Sequence, residues 1–281
     1  MRAAPVAILC ITAAVAAAQL RLESLGWHPD ARRISVFDVS ADGSRLIGVM
    51  DFGKPFLWSP GVGFTPFESP DPGSAAGPTA ISPDGRFACG WILSGELYGA
   101  RMSLQGGPGQ LLGNMEVTTD ISGDGSVVVG YNGNVAKRWQ NGRYESVQIP
   151  SGGPTGSSNV SVSADGNTIV GTSFVWQYGQ QVWQIPDLRG GLVDLSGLTA
   201  DGRVAFGFAN PMNASTTSGG FFRITGWDSA GGPQYEWLFD TAPGVTAIPV
   251  IRSADDGNTA VIRGSNLGNL IWSRRLGMLT S

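Results

Sequence analysis

Residues 163–171 read SADGNTIVG, and the same grammar recurs along the chain. SADGSRLIG (40–48), SPDGRFACG (82–90), SGDGSVVVG (122–130) and TADGRVAFG (199–207) align with it without a gap. SADDGNTAVIRG (253–264) is a sixth copy that carries extra residues. The Asp-Gly pairs fall at Asp42-Gly43, Asp84-Gly85, Asp124-Gly125, Asp165-Gly166, Asp201-Gly202 and Asp256-Gly257. A period of about forty residues, built from strands, is the signature of propeller blades of four strands each.

Each repeat carries its own local logic. Asp-Gly suits a tight hairpin turn, because glycine accepts positive φ without steric cost and aspartate bonds the nearby backbone. The Ser or Thr two residues before the Asp adds a hydroxyl to the same turn. The apolar pair that follows suits a strand covered on both faces, and the closing glycine marks a bend or a close backbone approach. Further on comes an aromatic strand: FLWS with Trp58, KRWQ with Trp139, QVWQI with Trp183 and LIWS with Trp272. FFRI near Phe222 stands in for it in the fifth unit, and Met102 takes the place of the Trp in the second. Each unit therefore reads strand, Asp-Gly turn, strand, loop, aromatic strand, turn, strand. The expected fold is all-β, a six-bladed β-propeller of four-stranded antiparallel blades. AQLRLESLG (18–26) and RLGMLTS (275–281) both offer a strand to close the ring.

With these motifs, above all DISGDGSVVVGYNGNVAKRWQNGRYESV (120–147), the chain resembles the HAF family of bacterial extracellular repeat proteins. SPDGRFACG is also similar to the repeat of TolB-like propellers. The resemblance implies export and a repeat scaffold. It brings no functional residues with it.

The amino terminus gives an address. MRAAPVAILCITAAVAAA (1–18) has a basic residue near its start, an apolar run and an A-x-A ending, the layout of a signal peptide cleaved after Ala18. A secreted or periplasmic protein is expected, with residues 19–281 forming one propeller domain and no transmembrane segment in the mature chain. Cleavage removes Cys10 and leaves Cys89 alone, which excludes an intramolecular disulfide. A net charge of −4 argues against nucleic acid as a partner. A protein, a peptide or a glycan remains as the expected partner.

The search for chemistry is mostly negative. With His28 as the single histidine, zinc sites built on several histidines are excluded, and His28 itself reads as a solvated loop residue. Cys89, within the apolar pair of the second repeat, reads as packing. No phosphate-binding glycine pattern is present, so neither a cofactor nor a metal site is expected. The repeat residues Asp42, Asp84, Asp124, Asp165, Asp201 and Asp256 are explained by their turns. Outside the repeat stand Asp51, Glu96, Asp228, Glu236 and Asp240, which leave a second reading open: a secreted glycoside hydrolase or lyase working through loop carboxylates. The preferred reading is a non-catalytic binding scaffold. Trp27, Tyr98, Trp176 and Tyr178 fall outside the repeat pattern, in segments expected to lie opposite the Asp-Gly turns. Rings of this kind beside Gln, Asn and Ser stack on sugars or anchor peptides.

Overall fold

The computed structural model describes residues 25–26, 28, 31–51, 53–67, 69–147, 159–180, 182–188, 190–191, 193–210, 218–228, 232–241, 250–253, 257–264, 268–275 and 277–280. The chain divides into two compact units, Met1–Thr118 and Thr119–Ser281. The leader 1–18, Trp27 and Asp256 lie outside the described residues, as does the segment 18–26 except for Leu25 and Gly26.

Every described element is a strand, and the strands form antiparallel sheets of four. The first unit holds β1 (Ile34–Val39), β2 (Leu46–Met50), β3 (Lys54–Ser59) and β4 (Gly63–Pro66) in one sheet. It also holds β5 (Ala75–Ile81), β6 (Phe87–Ser94), β7 (Glu96–Ser103) and β8 (Gln110–Leu112) in a second. The next sheet takes β9 (Val117–Ile121), which crosses the division, with β10 (Val127–Asn132), β11 (Val135–Gln140) and β12 (Arg143–Ser146). The second unit continues with β13 (Ser161–Val162), β14 (Thr168–Gly171), β15 (Phe174–Gln177) and β16 (Val182–Gln184). It then has β17 (Val193–Leu198), β18 (Val204–Ala209), β19 (Gly220–Asp228) and β20 (Gly232–Asp240), followed by β21 (Val250–Ser253), β22 (Thr259–Gly264), β23 (Gly268–Ser273) and β24 (Gly277–Thr280). Strand order within each sheet follows the sequence, so every connection inside a sheet is a hairpin.

The repeat turn is built the same way in the five copies whose Asp is described. The hydroxyl of Ser40, Ser82, Ser122, Ser163 or Thr199 donates to the Asp Oδ1 two residues on, at 2.5–3.1 Å. That same Oδ1 accepts the N–H two residues beyond the Asp, at 2.8–3.0 Å. The hydroxyl oxygen accepts the N–H five residues past itself, at 2.9–3.0 Å. The result is a four-residue hairpin loop rather than the two-residue turn that Asp-Gly first suggests. Only the glycine adopts positive φ, 69–75° in these copies, while the Asp serves as an acceptor. The same glycine also makes room for the preceding sheet, since a Cβ on Gly166 would stand 2.5 Å from Val127 Cγ2.

The closing glycine answers two neighbours. Opposite Gly48, Gly90 and Gly207 the first strand of the sheet carries a β-bulge, so its backbone presses close. In three sheets a phenylalanine from the third strand also sits across from it, as Gly48↔Phe56, Gly171↔Phe174 and Gly207↔Phe222, each ring fully buried. Neighbouring sheets of a unit are stitched at the turns. Ala41 N–H donates to Pro83 O at 3.0 Å in the first unit, and in the second Gly123 N–H donates to Ala164 O and Ala164 N–H to Ala200 O, both at 2.8 Å. Carboxylates on first strands reach across in the same way: Asp38 accepts Ile81 N–H and Asp120 accepts Val162 N–H, each at 2.9 Å.

These turns tie stability to acid. The Ser40 hydroxyl, then the N–H and hydroxyl of Ser44, hold the Asp42 carboxyl down to about 2. The Ser126 N–H leads in keeping Asp124 low. At Asp84 and Asp165 partial burial is the largest single influence and pushes upward, but the summed bonds from Ser82 and Arg86, and from Ser163 and Asn167, outweigh it. A carboxyl with a depressed folded pKa stabilises fully above its unfolded value and loses that contribution as the pH falls through the folded one. Urea midpoints are therefore expected to hold steady from pH 7 to about pH 4 and to fall between about pH 4 and 2. The combined Asp42→Asn, Asp84→Asn, Asp124→Asn and Asp165→Asn variant flattens that fall; an unchanged acid limb would mean that the carboxyls responsible lie elsewhere.

Register corrects two assignments of the aromatic strand. The residue four past the repeat Asp pairs with the third strand as Leu46↔Trp58, Ala88↔Met102, Val128↔Trp139, Ile169↔Trp176, Ala205↔Ile224 and Ala260↔Trp272. Trp176, not Trp183, is thus the repeat tryptophan of its sheet, and Trp183 lies on the fourth strand opposite Val175. In the next sheet Ile224, not Phe222, holds the position. The cause is the point at which the second strand turns. β14 turns at Thr172-Ser173, with Ser173 at φ 58°, directly after its closing Gly171, whereas β10 runs on to Asn132 before its own two-residue turn, so β15 comes forward.

Candidate functional site

Tyr178 opens the turn between β15 and β16, whose Gly179 has φ 73°. Its N–H donates to Asn167 O at 2.8 Å, which ties this turn to the Asp165-Gly166 loop beside it. Tyr178 therefore stands at the same end of its sheet as the Asp-Gly turn, not at the opposite end. Third-to-fourth-strand turns of an antiparallel sheet return to the end where the first hairpin closed, and the early turn at Thr172-Ser173 put β15 on Phe174–Gln177 and made 178–180 part of such a return. The Tyr178 ring is 47% exposed. It meets Trp176 edge-on, with centroids 5.9 Å apart, and lies 4.4 Å from the guanidinium carbon of Arg138. Trp176 is half buried and packs against the cluster around Val129, Ile169 and Phe174.

Arg138 is the residue beneath this surface, and it is only 3% exposed. Its Nε donates to Gly166 O of the next sheet at 3.2 Å and its Nη2 to Gln140 Oε1 at 2.9 Å. Its Nη1 stands 3.5 Å from Glu145. The same clamp recurs two sheets on, where Arg223 holds Glu236 and Gly257 O beneath Trp272. The arginine and glutamate are thus scaffold, and the exposed tyrosine is what distinguishes the β11–β16 region. An Arg one residue before the third-strand aromatic position in KRWQ and FFRI, with a Glu facing it across β12 or β20, was the signal available in the sequence.

Tyr98 lies in the first unit on the β6–β7 hairpin, at the end of its sheet away from Asp84-Gly85, paired with Ile92. Its hydroxyl lies 3.3 Å from Glu96, whose charge raises the phenol above its ordinary value. The segment ILSGELYG (92–99) is largely strand rather than loop. His28 lies in a loop, as expected, but is half buried and edge-on to Phe64 at 6.2 Å rather than fully solvated. Cys89 is fully buried.

Two of the candidate carboxylates are held by structural partners. Asp51 accepts the N–H groups of Arg32 and Arg33, at 2.9 and 3.1 Å, and Glu236 is paired with Arg223 at 2.6 Å. Asp194, which sequence reasoning did not single out, is buried on β17 and accepts the Thr172 hydroxyl at 2.9 Å. Burial pushes its carboxyl up and the Thr172 bond offsets part of that rise. Among the described residues no three His, Cys, Asp or Glu side chains gather to hold a metal ion, and no helix is long and apolar enough to cross a membrane.

Comparison with solved structures places this architecture. The chain superposes on a putative TolB from Agrobacterium tumefaciens with a TM-score of 0.54 and 17% identity, covering 87% of this chain and 94% of that one. It also superposes on the β-propeller domain of Cps50 (Swd1) from Myceliophteria thermophila, with a TM-score of 0.52 and 13% identity, covering 85% and 83%. The chain has a β-propeller fold. Its four-stranded antiparallel sheets are blades, and the repeat turn is the hairpin between the first two strands of a blade. No family model matches the sequence, and no curated protein matches it. At these identities the likeness to the two propellers is one of fold.

Proposed function

We propose that this is an exported six-bladed propeller, residues 19–281 after cleavage behind Ala18, that works as a non-catalytic binding or interaction scaffold for a glycan, peptide or protein. The leader sequence and six copies of the repeat support the address and the blade number. One observation carries the binding reading: Tyr178 presents an exposed ring in a fixed orientation, edge-on to Trp176 and seated over buried Arg138. A rigid aromatic face flanked by Gln140 and Glu145 presents stacking area and polar groups together, at little entropic cost. Asp51 and Glu236 are spoken for by scaffold bonds, which favours binding over carbohydrate hydrolysis.

The test is a screen of glycans and peptides for binding, run beside hydrolysis assays on the same ligands. Tyr178→Ala is expected to weaken the ligand found at least about tenfold while changing stability by no more than about 1 kcal/mol, because the residue is exposed. Product release would overturn the non-catalytic reading. Unchanged affinity in Tyr178→Ala would remove the site from this surface.

A further inference from the structure

The turn after a third strand opens Pro60-Gly61 after β3, Asn141-Gly142 after β11 and Tyr178-Gly179 after β15, but Arg274-Arg275 after β23. The scaffold has no need of two arginines there, since those three sheets close the same turn without them. An open cleft of about 400 Å³ lies at this point, lined by Asn258, Thr259, Ser273, Arg274 and Arg275. Both arginines are exposed, and the other three residues are half buried. Thr259 and Ser273 face each other in the ladder, and Arg274 N–H donates to Asn258 O at 2.8 Å, so the backbone that carries Asn258, Thr259, Ser273 and Arg274 is fixed.

Among the described residues of this lining every side chain can donate a hydrogen bond, none is a carboxylate, and two carry positive charge in a chain of net charge −4. Guanidinium groups match the oxygens of tetrahedral oxyanions through paired N–H donors, and two side by side suit a doubly charged group better than a single carboxylate. We infer that this cleft is an oxyanion subsite that takes a sulfate or phosphate monoester group. It stands on residues separate from the Tyr178 surface and does not depend on that surface binding anything.

The test uses the whole chain at constant ionic strength, with sodium sulfate or phosphate exchanged against sodium chloride and amide shifts followed by NMR. Saturable shifts at Thr259, Ser273, Arg274 and Arg275 are expected, weakened at least about tenfold in the Arg274→Gln, Arg275→Gln double variant and retained in Tyr178→Ala. Arg275→Gln alone, exposed and outside the ladder, gives an intermediate loss if the double variant folds poorly. Glucose 6-sulfate and phosphoserine then separate a sugar-borne from a peptide-borne group, and binding of either through these arginines supports the subsite. Shifts that do not saturate, that persist in both arginine variants, or that acetate reproduces at equal concentration would overturn it.

Discussion

Gly90→Ala is expected to lower the melting temperature by about 5–10 °C, from a loss of about 2–3 kcal/mol. Gly90 sits on β6 where β5 bulges, with Pro78 opposite it and the register shifting before Ala80. A Cβ there would strike the carbonyl oxygen of Gly77 and lie 2.8 Å from Pro78 Cα and 3.0 Å from Gly77 C. All three atoms are backbone, held by the bulged ladder, so no side-chain rotation relieves the contact. The cost is steric alone, because the positive-φ glycines of the chain do not include Gly90. Gly113→Ala is the control: a Cβ at Gly113 meets nothing within 4 Å and its φ is ordinary, so its melting point should stay within about 1–2 °C of the parent. Equal melting of Gly90→Ala and Gly113→Ala would mean that the bulged strand yields, and that the closing glycine of the repeat answers some other need.

The contrast between the turn and the third strand shows what the sequence made legible. The repeat turn could be read because its chemistry is local. Ser163, Asp165 and Gly166 interact within one loop, so their identities at fixed spacing report its geometry directly. The third strand is positioned by the turn before it, and the second strand runs a different distance past its closing glycine before turning in different units: to Asn132 after Gly130, but no further than Gly171 in β14. Counting a constant distance from Asp165 therefore landed on Trp183, when the two-residue turn at Thr172-Ser173 had already brought Trp176 into the repeat position. The same shift carried Tyr178 from the expected face to the Asp-Gly end. Trp and Tyr alternate with polar residues on either assignment, so periodicity does not separate the two. Arg138 escaped notice for a different reason. Its acceptor Gly166 O is distant in sequence, on the next sheet, and only the recurrence of Arg before the aromatic position, with a Glu across the following hairpin, hinted at a shared clamp.

That clamp carries the second large expected effect. Arg223→Met should cost about 2–4 kcal/mol, well beyond Glu236→Gln, which should cost about 1 kcal/mol or less. Arg223 is 3% exposed; it donates twice to Glu236, at 2.6 and 2.8 Å, and once to Gly257 O of the next blade at 2.7 Å. Methionine keeps most of the side-chain length but leaves that carbonyl and the carboxylate without their donor. The asymmetry follows from burial: the cation is enclosed, while the Glu236 side chain is 45% exposed and water can replace its partner. Glutamine at 236 still offers an oxygen to the guanidinium. Arg138→Met in the third blade should cost less than Arg223→Met, because its bonds to Gly166 O and Glu145 are longer, at 3.2 and 3.5 Å. It should also loosen the Tyr178 ring, whose seat it removes. Urea denaturation of the three variants at pH 7 decides the order. A Glu236→Gln loss as large as that of Arg223→Met would place the energy of the clamp in the ion pair rather than in the buried bond between blades.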